Sequence, residues 1–96
     1  MHNIISLRYS KITKDSFDSS SKLYESDLNS LDYGVYRVGS NASNKPTGVT
    51  TGYVIGLYRA DNTACQMFVG ADGNGAFMGL YIRLKASGTW ASWSAV

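Results

Sequence analysis

Tyr81 and Arg83 are the two residues whose types and spacing best fit a chemical role in this sequence. They stand two apart in a segment with strand-like alternation, so both point to the same face of a strand. A tyrosine ring offers a stacking surface, and an arginine offers a planar fork of donors for hydroxyl or carboxylate oxygens. Phe77 shares this spacing, so the sequence predicts a ligand-binding patch there. The alternative is that this face packs against a neighbouring protomer or a second sheet.

Trp90 is the third candidate ligand-binding residue, because an indole face stacks well against the C–H face of a sugar ring. The alternative role for Trp90 and Trp93 is to fill the core or an interface, where each ring buries a large apolar area. A spacing of three in a regular strand predicts that the two rings lie on opposite faces, one in the core and one on the surface, unless a bulge intervenes.

The groups that enzymes use for nucleophilic or metal chemistry are sparse. His2 is the only histidine and Cys65 the only cysteine, which excludes a two-histidine zinc site and an intramolecular disulfide. We expect Cys65 to be a buried, inert thiol. The carboxylates that a glycosidase pair would need fall at predicted turns or element ends: Asp27, Asp32, Asp61 and Asp72. We therefore predict a protein that is not an enzyme, with no catalytic residue, metal or cofactor.

The composition predicts one small, aromatic-rich β domain. The chain has 96 residues, 44% hydrophobic, 12% aromatic and 17% charged; aromatic side chains fit the pleated, half-buried surface of a sheet. The formal net charge is only +2, with lysines and arginines spread along the chain, which predicts a mixed surface rather than a basic binding face. The sequence has no apolar run of the roughly 18 residues that a spanning helix needs, so we expect no membrane insertion.

Residues 1–26 differ from the rest of the chain in being rich in serine and charge. We interpret them as an attachment or oligomerisation arm with one strand-like stretch at 4–9; the alternative is a disordered terminus. The apolar stretch at the start is too short for a secretory signal. Residues 25–31 predict a short helical turn capped by Ser26 or Asp27.

Residues 34–96 show the alternation and turn chemistry of an all-β fold. The predicted strands cover residues 34–38, 53–59, 64–69, 76–85 and 90–96. Residues 72–75, Asp-Gly-Asn-Gly, predict a hairpin turn, because Gly and Asn tolerate positive φ. In 76–85 one face is apolar and the other mixed, the mixed face carrying Tyr81 and Arg83. Short polar connections predict an antiparallel meander, folded into a small sheet or a sandwich.

Seven short motifs follow one another in residues 27–96: Asp27-Leu28-Asn29-Ser30-Leu31, Gly34-Val35-Tyr36-Arg37-Val38, Asn44-Lys45-Pro46, Gly52-Tyr53-Val54-Ile55, Cys65-Gln66-Met67-Phe68, Tyr81-Ile82-Arg83 and Trp90-Ala91-Ser92-Trp93. Their order resembles the pyocin-knob family, which is similar in its Asp-Leu-Asn-x-Leu opening, Gly-x-Tyr strand, Asn-x-Pro loop and Trp-x-x-Trp close. Family members usually lie inside long fibre proteins, so this chain is either a short free-standing tail protein or a fragment.

The resemblance implies a component of a bacteriophage tail fibre or a fibre-like tail particle. It implies an all-β knob, a trimer as the homo-oligomer, and location in the virion tail after synthesis in the host bacterial cytoplasm. Residues 1–26 would then dock to another tail protein. Contact with host surface polysaccharide is a further implication, and it leaves the roles of adaptor and receptor binder both open.

A single-stranded nucleic-acid-binding β-barrel is the alternative function. Its basis is a sequence pI of about 8.8 together with Tyr53, Tyr58 and Tyr81 on predicted strands, where bases could stack. Such binding would weaken steeply with salt. The modest, dispersed positive charge disfavours it.

Overall fold

Four consecutive antiparallel strands form the centre of a single sheet in the computed structural model, which describes residues 13–31 and 33–96. They are β2 (Gly34–Val38), β3 (Thr51–Ala60), β4 (Thr63–Ala71) and β5 (Phe77–Ala86). Three two-residue strands complete the sheet: β1 (Leu23–Tyr24), which pairs with β2 in parallel, and β6 (Thr89–Trp90) and β7 (Ser94–Ala95), which both pair with β5. The predicted all-β meander is confirmed, as one sheet rather than a sandwich.

Predicted and observed strands agree closely in the meander and diverge at the C-terminus. The strand at 34–38 is confirmed residue for residue, and β3 to β5 end within two residues of their predicted bounds. The predicted single strand at 90–96 is wrong, because residues 91–93 leave the sheet between β6 and β7. The alternation of apolar and polar residues does not reveal this break, since it depends on what the segment packs against.

A layer of loops covers one side of the sheet, here called the inner face. This layer holds the 3₁₀ turn Leu28–Ser30, capped by Asp27 as predicted, and the connection from residue 39 to 50. The core lies between this layer and the inner face. Its buried apolar side chains are Leu28, Leu31, Ala42 and Val49 from the loops and Val38, Val54 and Phe68 from the strands.

The opposite side of the sheet is here called the outer face. Among the described residues it is approached only at its β2 edge, where Arg37 pairs with Tyr53 and donates to the carbonyls of Ser19 and Ser20. Cross-strand pairing sets nine of its side chains in three rows: Tyr53 with Val69 and Leu80, Ile55 with Met67 and Ile82, and Leu57 with Cys65 and Leu84. Cys65 is therefore partly exposed, and the prediction of a buried thiol is wrong. The apolar stripe of β5 points to solvent, and its mixed face with Arg83 is the one that packs against the core.

The hairpin between β4 and β5 forms the predicted turn. The Asp72 side-chain oxygen accepts hydrogen bonds from the amides of Asn74 at 2.8 Å and Ala76 at 2.9 Å, and Gly75 has a φ of 86°. These bonds replace ladder partners that the turn residues lack.

A β-bulge follows this turn and changes the face of the sheet to which the first residues of β5 point. Val69 pairs with Leu80 while Ala71 pairs with Phe77, so β5 carries one residue more than β4 in this interval. Gly79 lies in the bulge with a φ of 107°, a conformation that glycine adopts without strain. The bulge places Phe77 on the outer face with Ala71, so the prediction that Phe77 shares a face with Tyr81 and Arg83 is wrong.

The predicted N-terminal arm is described only from residue 13 onward. Within it lie a 3₁₀ turn (Lys14–Phe17) and β1, and the Arg37 guanidinium donates to the carbonyl oxygens of Ser19 and Ser20 at 3.3 and 3.4 Å. The strand-like stretch at 4–9 lies outside the described residues. The division at residue 26 stays a prediction.

Candidate functional site

Arg83 lies between two indole rings on the inner face of β5. Its guanidinium carbon is 4.5 Å from the centre of the Trp90 ring and 4.4 Å from that of Trp93. Both distances fall within the range for cation–π attraction, which strengthens when the cation is removed from water. The residue is only 6% exposed. Because residues 91–93 leave the sheet, both indole rings pack against the Arg83 guanidinium. The prediction that Trp90 and Trp93 lie on opposite faces is therefore wrong.

Gln66 connects this arginine to the loop layer. The side-chain oxygen of Gln66 accepts from Arg83 Nε at 2.9 Å, and its amide nitrogen donates to the carbonyls of Leu28 at 2.7 Å and Leu31 at 2.6 Å. Gln66 is fully buried, and these bonds use both amide protons and one acceptor position. The carbonyl of the first residue of the 3₁₀ turn and that of its C-cap, Leu31, thereby accept hydrogen bonds from the centre of the sheet.

The two indole N–H groups attach the C-terminal segment to the same loops. Trp90 Nε1 donates to the carbonyl of Asn29 at 2.9 Å, and Trp93 Nε1 donates to the carbonyl of Asn44 at 2.8 Å. The carboxylate of Asp27 accepts from the Asn29 amide at 2.8 Å and the Asn44 side chain at 2.6 Å. Three segments far apart in sequence are thus held around Arg83.

The buried cation remains only partly compensated. Burial lowers the pKa of Arg83 to about 10, and the negative charge of Asp27 opposes that shift from a distance. Its Nη2 atom has no hydrogen-bond partner among the described residues. At neutral pH the guanidinium is still charged, so its positive field extends to the nearest solvent-filled space.

That space is an open pocket of about 420 Å³ beside Arg83. Asn44, Lys45 and Thr47 line it from the loop, Tyr81 and Arg83 from β5, and Trp93 from the C-terminal segment. Lys45 donates to the carbonyls of Ser40 at 2.7 Å and Thr50 at 2.8 Å, which fixes its ammonium group at the loop. Among residues 13–31 and 33–96, the pocket lining has two cations and no carboxylate.

The structure brings the three predicted ligand-binding residues, Tyr81, Arg83 and Trp90, close together, but only two of them line the pocket. Tyr81 and Arg83 line the pocket, whereas Trp90 lies on the guanidinium and is not part of the pocket lining. Sequence reasoning favoured a core or interface role for Trp93 and missed Lys45 and Gln66. The Trp-x-x-Trp spacing was a signal for Trp93, but nothing in the local sequence placed Lys45 or Gln66 beside Arg83.

The other sequence candidates are dispersed. Asp27 caps the 3₁₀ turn, Asp61 lies at the β3–β4 turn and Asp72 in the next hairpin, while Asp32 falls outside the described residues. Tyr53 lies on the outer face and Tyr81 on the inner face, so they form no common platform for stacked bases. In residues 13–31 and 33–96 no cluster of histidine, cysteine and acidic residues could hold a metal, and no helix is long and apolar enough to cross a membrane.

The hydrogen bonds to Asp27 predict a stability that falls in acid. Bonds from the Asn44 side chain and the Asn29 amide hold the pKa of Asp27 below its usual value of 3.8. This contribution to stability is complete above the usual value and is lost as the pH falls through the lowered one. We expect the melting temperature to fall more steeply below pH 4 in the wild type than in Asp27→Asn, measured by circular dichroism. Parallel curves for the two proteins would contradict this role for the carboxylate.

Comparisons of the chain with protein families, curated proteins and solved structures found no match. The function therefore has to be argued from the residues themselves.

Proposed function

We propose that this chain is a non-enzymatic component, structural or receptor-binding, of a bacteriophage tail fibre or fibre-like tail particle. The observation that supports this most is where the pyocin-knob-like motifs lie. The Asp27–Leu31 opening and the two tryptophans meet around the buried pair Gln66 and Arg83 in one polar cluster. The order of the motifs in the sequence is one argument for the resemblance. Their close contact in the folded chain is a stronger one.

The cluster gives the motifs a structural role, and the pocket beside it gives the module a place to bind. A lining with an ammonium group, a guanidinium, two aromatic rings and polar side chains favours an anionic sugar. In this proposal an acidic polysaccharide of the host surface lies against Tyr81 and Trp93, and its carboxylates lie near Lys45.

The proposal includes the assembly that the resemblance implies. Three copies form the homo-oligomer, residues 1–26 dock to another tail protein, and the particle carries the module in the virion tail. No membrane insertion, cofactor or nucleic acid is involved.

A negative charge introduced at the rim tests the pocket without touching the buried cluster. Thr47 is exposed and lines the pocket, so Thr47→Glu places a carboxylate beside Lys45. We expect affinity for polygalacturonate, a uronic-acid polymer, to fall about tenfold, equivalent to about 1.4 kcal/mol. Isothermal titration calorimetry at fixed ionic strength measures this change.

Thr89→Glu is the matched control, because Thr89 is exposed, does not line the pocket and lies on β6 rather than beside Lys45. It should change the affinity less than twofold. Neutral dextran should bind neither more nor less to Thr47→Glu than to the wild type. Equal weakening by both variants, or no binding of the acidic polymer by the wild type, would contradict the pocket as the glycan site.

A further inference from the structure

The outer face of the sheet exposes a larger group of apolar side chains than the surface of a single protomer usually does. Tyr53 is 50% exposed, Leu57 54% and Leu84 60%. None of the nine side chains in its three rows carries a charge. On the inner face the same strands carry glycines, Gln66 and Arg83. Strands that are apolar on the side away from their own core are typical of sheets covered on both sides.

We propose that copies of this chain pack against one another through this outer face. The inference specifies the surface of the homo-oligomer proposed above and rests on that proposal only for the number of copies. The three rows span three strands and about six residues along each, a projected area on the order of 300 Å². Protruding side chains add accessible area, so two such faces in contact remove on the order of 1,000 Å² from water, the lower limit for a specific interface.

A second copy suits this surface better than the N-terminal residues of the same chain. Residues 1–12 supply four aliphatic side chains, Ile4, Ile5, Leu7 and Ile12, against nine residues on the face. An extended segment covers the width of about one strand, whereas the face is three strands wide. A copy of the same sheet matches the three uncharged rows in width, with Arg37 at their edge beside Tyr53, and sheets pack face to face at about 10 Å.

The outer face lies opposite the pocket and the Arg83 cluster, which belong to the inner face. Assembly through the outer face therefore leaves every pocket open to solvent. This arrangement separates the two functions physically, so that each can be removed without the other.

Leu84→Lys is the variant that tests the interface. The side chain is largely exposed in the protomer, so the substitution removes no core packing and places a charge within the proposed contact, in the row of Leu57 and Cys65. At about 50 µM, sedimentation equilibrium should give the wild type a mass of at least twice the 10.4 kDa of one chain, and Leu84→Lys the mass of a single chain. Asn41→Lys, at an exposed residue of the loop layer on the opposite side of the sheet, should assemble like the wild type.

Cys65 provides a second measurement, because it neighbours Leu84 across the strands and is the only cysteine. Its alkylation by a maleimide should be at least tenfold slower in the assembled wild type than in Leu84→Lys. A wild type of single-chain mass, or equal alkylation rates in the two proteins, would overturn the inference. A mass of two chains supports this surface and contradicts the proposed trimer. Polygalacturonate binding by Leu84→Lys shows that the pocket functions without the contact.

Discussion

Replacing Gln66 with leucine is expected to lower the free energy of unfolding by about 4 kcal/mol. The substitution keeps the volume of the side chain approximately but removes three hydrogen bonds, those to the Leu28 and Leu31 carbonyls and that from Arg83 Nε. Each buried polar group left without a partner costs about 1–3 kcal/mol, and more when it is charged. The Leu31 carbonyl and Arg83 Nε would lose the partner that the structure gives them, because the indole rings and the loop layer leave little room for water there.

Urea unfolding followed by tryptophan fluorescence measures this loss, and the slope of the transition shows whether the unfolding remains two-state. The double variant Gln66→Leu/Arg83→Met is the informative partner. It removes the buried cation together with its acceptor, so we expect its loss to be at least 1 kcal/mol smaller than the sum of the two single losses. Additive losses would mean that the two side chains are not coupled as their 2.9 Å hydrogen bond indicates.

The second large effect is expected at Gly52, where alanine should destabilise the fold by about 3 kcal/mol. A Cβ built at this position would lie 2.2 Å from the carbonyl oxygen of Val69 and 2.6 Å from the Phe68 ring. The oxygen belongs to the backbone of the neighbouring strand and cannot move without breaking the β3–β4 ladder. The melting temperature should fall by more than about 10 °C in a calorimetric scan.

Gly73 is the matched control for this prediction. It lies in the exposed hairpin turn, and a Cβ there would meet nothing within 4 Å. Gly73→Ala should leave the stability unchanged or raise it by about 0.5 kcal/mol, because it restricts the unfolded chain. A similar loss at Gly73 would mean that the effect at Gly52 reflects glycine content rather than the close approach of two strands.

Gln66 and Gly52 are therefore expected to dominate the stability of the inner face, and this changes how Arg83 should be tested. Arg83→Ala would remove the centre of the buried cluster together with any ligand contact, so a loss of binding in that variant would not identify a site. Substitutions at the rim, such as Thr47→Glu, leave the cluster intact and report on the pocket itself.

Local sequence determined the strands and turns of this protein. The alternation in β5, the short strand at 34–38 and the Asp72–Gly75 turn follow from side-chain period and from residues that accept positive φ, which are properties of a few neighbours. The same pattern could not show which face of β5 is buried. Either Leu84 or Arg83 could face the core, and Arg83 does so because Gln66 and two tryptophans elsewhere in the chain pack against it.

The site was determined only by tertiary structure. Tyr81, Arg83 and Trp90 were recognisable from their chemistry, but the bulge at Gly79 removed Phe77 from their face, and the departure of residues 91–93 from the sheet turned two tryptophans toward one guanidinium. The sequence by itself determined that the chain forms antiparallel strands joined by polar turns. The tertiary structure decided which face is buried and where the pocket lies, because burial depends on contacts between residues distant in sequence.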